Sequence, residues 1–130
     1  MAADLLTGAG DATTRVETYQ VVQYLLEHFG RTFTAFVANT RSRSLPARWA
    51  LAPSLPTHVT PTEDKVRRLR TAHTISTAIA AAENDRIAYA WLIAANPRLD
   101  GQTPAQLIRD DDVAPVVAAA KAFLEGTYNA

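Results

Sequence analysis

The stretch Trp91-Leu92-Ile93-Ala94-Ala95-Asn96-Pro97-Arg98-Leu99-Asp100-Gly101-Gln102-Thr103-Pro104-Ala105-Gln106-Leu107 decides the fold class. Asn96-Pro97 ends a helix, because a proline pushes the residue before it out of the helical region. Leu99 is spaced to plug a core from within the loop. Gly101 supplies a tight turn. Thr103-Pro104-Ala105-Gln106 reads as a capping box that opens a short helix to about Arg109. Upstream, Asn84 or Asp85 caps a helix over about 86–95. There Ile87, Ala90, Trp91 and Ala94 follow the helical period, and Tyr89, Leu92 and Ile93 fill the other faces. A helix apolar nearly all round is expected to be buried. Downstream, Asp111 or Asp112 caps a last helix with the stripe Val113, Val116, Val117, Ala120, Phe123 and Leu124, closed by Gly126.

Further out, Thr60-Pro61-Thr62-Glu63 places Thr at N-cap, Pro at N1 and Glu at N3. The helix it opens runs to about Ala82, with Val66, Leu69, Ala72, Ile75 and Ile79 inward. Residues 51–60, with Pro53 and Pro56, read as a connector without regular structure. Before it, Thr14-Arg15-Val16-Glu17 is a capping box. Val16, Tyr19, Val22, Leu26 and Phe29 then mark a helix over 15–29 that Gly30 stops. Thr32 caps a short helix, Phe33 to Ala38, and Asn39 tolerates the left-handed turn that follows. Ser44 caps a third short helix through Trp49, with Pro46 in its first turn. Residues 1–12, with Gly8 and Gly10, read as a flexible arm. The pattern contains no strand and no internal repeat. It predicts an all-α protein of seven helices: an arm (1–12), a trihelical unit (13–50), the connector (51–60) and a four-helix unit (61–130).

At 130 residues and 48% hydrophobic composition, the chain can bury one modest core. Its formal net charge is zero, but the charge is segmented. Residues 1–30 carry one Arg against four acids, and residues 71–130 carry four basic groups against seven acids. Between them, residues 31–70 carry eight basic groups against Glu63 and Asp64, a net +6. Such asymmetry marks a partner surface. With no cysteine there is no disulfide framework and no thiolate site, which fits a reducing cytoplasm. Met1-Ala-Ala-Asp-Leu-Leu lacks a basic n-region and a long apolar run, so no signal peptide is expected, and no run is long enough to span a membrane. His28, His58 and His73 lack helical metal spacing, and no metal or cofactor is expected.

Three short helices over 15–50 with a turn at 39–44 match a helix-turn-helix. Arg41, Ser42, Arg43 and Ser44 lie at that turn, and Arg48 about one helical turn further on. Arg reads guanine or pairs with phosphate, and Ser hydrogen-bonds either. Val37, Ala38, Leu45 and Trp49 form the inner side. A second basic group, Lys65, Arg67, Arg68 and Arg70, opens the long helix. Cations there oppose the helix dipole, so Lys65, Arg67 and Arg68 are taken as phosphate contacts outside the recognition helix. For all of these the competing reading is a solvated face.

Residues 91–107 resemble the toxin-binding domain of the Xre/MbcA/ParS-type antitoxins, the partners of RES-domain toxins. The shared pattern is a Trp-bearing helix, then Asn-Pro-x-Leu-x-Gly-x-Thr-Pro and a short helix ending in Leu. It is carried here by Trp91, Asn96, Pro97, Leu99, Gly101, Thr103, Pro104 and Leu107. The likeness covers about 60–126 and extends more loosely to 20–50, where Arg48-Trp49 stands in place of the family's Arg-Trp pair. The turn glycine is replaced by Asn39, and Pro46 sits in the recognition helix. The resemblance implies an antitoxin that blocks a toxin consuming NAD or transferring ADP-ribose, binds its double-stranded operator, and forms a dimer or higher oligomer. It also implies that the toxin is met by the end of the last helix, namely Phe123, Leu124, Gly126, Thr127 and Tyr128. The alternative is a stand-alone repressor of phage type. An enzyme is disfavoured: Asp110, Asp111 and Asp112 are consecutive and point different ways, and one of them serves as a cap while the rest read as solvated surface.

Overall fold

The helix that organises the molecule is α4 (Glu63–Ala82), which has Ala72, Ser76 and Ala78 among the larger Leu69, Ile75 and Ile79 along its buried faces. Small side chains let other helices approach closely on several sides. In this computed structural model, which describes the backbone of residues 2–129 and the side chains of residues 5–126, α4 is packed by α1 (Ala2–Arg15), α2 (Thr18–Ala38), α5 (Asp85–Ile93), α6 (Pro104–Arg109) and α7 (Val113–Asn129). The five-residue α3 (Leu45–Trp49) packs on α2, and Pro97–Leu99 form a single 3-10 turn. The described residues contain no strand, so the chain is all-α.

Local stop signals act where the sequence puts them. Gly30 takes φ 86°, ψ 170° and kinks α2 into segments 18–29 and 31–38. Asn39 is left-handed (φ 63°, ψ 49°), and the amides of Asn39 and Thr40 donate to the carbonyls of Phe36 and Ala35. Asn84 caps α5 by accepting from the Ile87 amide at 2.9 Å. Two starts are displaced. Thr14 belongs to the last turn of α1, where its hydroxyl donates to the Gly10 carbonyl. The cap of α2 is Glu17, whose amide donates to Gln20 Oε1. Likewise α4 is capped at Thr62, two residues after the expected Thr60.

The expected flexible arm is a correction. Residues 2–12 are most of α1, which lies on α4 and α7. Gly10 faces α4: a Cβ there would stand 3.8 Å from the Thr74 methyl, an ordinary packing distance. Thr13 is buried and its hydroxyl shares a 2.6 Å hydrogen bond with His73 Nδ1. Arg70 then closes the helix end, donating to the carbonyls of Thr13 and Val16 and to Thr18 Oγ1. Two glycines read as an arm because the residues that hold them are more than fifty positions away.

The segments on either side of the connector share one core. Val21, Leu25, Val37 and Trp49 belong to the same buried cluster as Leu69, Ile79, Leu92, Ile108 and Leu124. The connector ties back to α3: the Val59 amide donates to the Arg48 carbonyl, and Arg48 Nε to the Thr57 carbonyl. A second correction concerns α5, expected to be buried all round. Only Ala88 and Leu92 are fully buried, while Ala90 and Ala94 are exposed and Ile93 is 46% exposed.

His73 gives the fold a pH dependence. It is buried against the Tyr24 ring edge, and burial, then Arg70 and His28, hold its pKa below the usual histidine value. The unfolded chain therefore binds a proton more readily, and stability falls as pH drops below the ordinary histidine pKa of about 6.5. The melting temperature should decline between about pH 7 and pH 5, a window above carboxylate titration. His73→Gln should flatten that decline. An undiminished decline in the variant would assign it elsewhere.

Candidate functional site

Two surfaces carry the chemistry that the sequence singles out. The first is the turn between α2 and α3. Arg41, Ser42, Arg43 and Ser44 are all exposed there. The turn is held from within: Ser42 Oγ accepts from the Leu45 amide at 3.2 Å and lies 3.1 Å from Ser44 Oγ. Thus Ser42, rather than the expected Ser44, satisfies the first turn of α3. Lys65 Nζ donates to the Asn39 carbonyl at 3.1 Å, fixing the turn to the start of α4. Among the described residues, the guanidinium groups of Arg41 and Arg43 have no hydrogen-bond or ion-pair partner within the chain.

The remaining cations of the basic segment are mostly engaged. Arg48 is exposed but leans on the connector through Thr57. Arg67 pairs with Asp111 at 2.8 Å, and that guanidinium holds the Asp111 carboxyl below the usual carboxylate range. Arg68, expected at the DNA, is turned inward, with its side chain only 11% exposed. Its Nε donates to the Arg109 carbonyl at the end of α6, and one terminal nitrogen donates to the Asp64 carbonyl and carboxylate. Arg109 in turn donates to the Phe36 carbonyl near the end of α2 and lies over the Phe36 ring at 4.8 Å. Lys65, Arg68, Arg70 and Arg109 thus meet carbonyls at the C-terminal ends of α2, α6 and α1, where positive charge is favoured. A basic count along the chain overstates the free positive surface.

The second surface is the Asn-Pro loop. Asn96 Oδ1 accepts from the Arg98 amide, and the Asn96 carbonyl accepts from the amides of Leu99 and Gly101. Asp100 (φ 54°) and Gly101 (φ 83°) are left-handed, and Thr103 Oγ1 caps α6 by accepting from the Gln106 amide at 3.0 Å. These bonds direct Leu99 into the core cluster that also holds Leu107. On the outer side, Trp91 is half-buried and tilted against Phe123, ring centroids 6.1 Å apart. These two rings, with Asn96, Pro97 and Arg98, line a cleft of about 260 Å³.

Of the expected toxin-facing residues, Phe123 reaches this cleft and Gly126 is exposed. Leu124 is only 1% exposed and belongs to the core, which removes it from that surface. The helical spacing that puts Phe123 at the cleft turns its neighbour inward. The side chains of Thr127 and Tyr128 lie outside the described residues, although the backbone of α7 continues through them.

Asp110, Asp111 and Asp112 do not converge. Asp110 accepts from Gln106 Nε2, Asp111 is left-handed and paired with Arg67, and Asp112 is exposed. No cluster of three metal-ligating side chains occurs among the described residues, and no described helix is long and apolar enough to cross a membrane. A third feature has no counterpart in the sequence reading: an aromatic cleft formed by Phe29, Phe33, Phe36 and Tyr89. Only folding brings Tyr89 to the three phenylalanines, and no local pattern announces it. The chain matches no protein-family model, no curated protein and no solved structure.

Proposed function

We propose that this chain is the antitoxin of a type II toxin–antitoxin pair. In this reading it neutralises a RES-type toxin that consumes NAD or transfers ADP-ribose, and it represses its own operon by binding double-stranded DNA. The observation that carries the reading is the loop Asn96–Thr103, in which every residue of the resemblance has a defined task. Asn96 and Thr103 cap, Gly101 turns and Leu99 anchors, which leaves Trp91, Pro97 and Phe123 on one outer cleft. A half-buried aromatic pair beside a rigid loop is the kind of anchor that protein interfaces use. The toxin-facing group is then Phe123 with Gly126, Thr127 and Tyr128, without Leu124. The operator-facing group is Arg41, Ser42, Arg43 and Ser44, supported by Arg48, Lys65 and Arg67. A homodimer would present two such turns to a palindromic site.

Truncation after Glu125 tests the division of labour. It leaves Leu124 in the core, so the protein should fold and bind DNA as before. Neutralisation of a co-expressed RES-domain partner, scored as rescue of growth, should be lost. Full rescue by the truncated chain would remove the tail from the toxin interface. The second reading, a stand-alone repressor, draws on the two unengaged arginines, which serve DNA with or without a toxin. A pull-down from the native host that recovers DNA and no RES-domain protein would favour it.

A further inference from the structure

A cleft of about 360 Å³ lies between the kink of α2 and α5 and belongs to neither partner surface described above. Three rings line it in mutual contact. Phe29 stacks on Tyr89 with centroids 5.4 Å apart and planes within 16°, and Phe33 meets both rings edge-on at 5.2 and 5.6 Å. Phe36 and the exposed Ile93 extend the wall. Gly30 opens one side: a Cβ built there would meet nothing within 4 Å, so the kink leaves space. The rim is polar and of one sign. Arg31 is exposed and, among the described residues, has no partner within the chain, while no carboxylate lines the cleft. Thr32 and Thr103 add hydroxyls, and because Thr103 Oγ1 accepts from the Gln106 amide its own hydrogen remains free to donate.

We propose that this cleft binds a small aromatic carboxylic acid, its ring on the Phe29–Phe33–Tyr89 cluster and its carboxylate toward Arg31 and the two hydroxyls. The volume falls at the lower end of the roughly 300–1,000 Å³ of ligand pockets, which sets a ligand of one or two rings. Stacked and edge-on rings offer a further ring the same geometries. A guanidinium opposite hydroxyl donors matches a carboxylate, whereas a cationic ligand would meet Arg31 with no acid to offset it. The exposed polar residues Arg31 and Thr32 border the apolar surface, which limits it toward the span of a small molecule rather than a partner helix.

Phenylacetate titrated into the full chain, followed by amide-resolved NMR, tests this. Saturable shifts are expected at Gly30, Thr32, Ile93 and Ala105. Phenylacetamide, the same shape without the charge, should bind more weakly by roughly fivefold, the upper range of an exposed ion pair. Arg31→Gln should weaken phenylacetate by the same factor, leave phenylacetamide unchanged and keep the melting temperature. Absence of saturable shifts, or shifts centred elsewhere, would overturn the proposal. Equal affinity for acid and amide in both proteins would overturn it too. If the same amides instead shift with protein concentration alone, a second copy of the chain fills the cleft and the proposal falls.

Discussion

Trp49→Ala should lower the unfolding free energy by about 3–5 kcal/mol, the usual cost of deleting a fully buried aromatic side chain. Trp49 is the largest of the fully buried side chains, 1% exposed, and it ends a helix of only five residues. A helix that short has no stability of its own, so α3 persists because Trp49 joins the core shared with α4 and α7. The expected result in urea is a lower midpoint with a single transition, because the residues on both sides of the connector share one cluster. Two separated transitions would mean that residues 13–50 unfold independently. The substitution should also loosen the preceding turn, which is anchored at Asn39 on one side and at α3 on the other.

Arg41→Ala combined with Arg43→Ala should weaken binding to DNA from the chain's own upstream region by roughly tenfold to a hundredfold. It should also reduce the salt dependence of log affinity by about 1.8, near 0.9 for each phosphate no longer neutralised. These two guanidinium groups are exposed and unengaged, so their loss should leave the melting temperature unchanged. Arg68→Ala is the contrasting variant. It removes donors to the Arg109 carbonyl and to Asp64, so it should reduce stability and leave the salt slope as it is. Fluorescence anisotropy across a salt series reads both. A slope unchanged by the double substitution would remove the turn from the DNA interface.

The helix boundaries that were legible in the sequence are those set by a cap or a breaker. Gly30, Asn39, Asn84 and Thr103 act through bonds to residues within five positions, and each acts where it was expected, whereas α5 ends at Ile93, ahead of the expected stop at Asn96-Pro97. The two displaced starts have the same origin. Thr14 and Thr60 each precede a second polar residue able to cap, and in both cases the helix starts at the later one. The turn from Asn39 to Ser44 was legible for the same reason, since its hydrogen bonds close locally. The aromatic cleft was not, because Phe29 and Tyr89 meet only across the fold.

The sequence by itself determined the all-α class, the order of the helices from α2 onward, and the Asn-Pro loop with Leu99 directed inward. All of these follow from backbone preferences and from hydrogen bonds closed within a turn or two. Only the tertiary structure decided that residues 2–12 are a docked helix, that α4 is the central one, that Leu124 is core, and which cations are free. Those outcomes rest on contacts such as Arg70 to Thr13, Arg68 to Arg109 and Arg109 to Phe36. A guanidinium seeks unsatisfied helix-end carbonyls wherever the packing brings them, and nothing in the local sequence says which carbonyls those will be. The +6 of residues 31–70 is therefore a correct count of charge, while the surface left to a partner centres on Arg41 and Arg43.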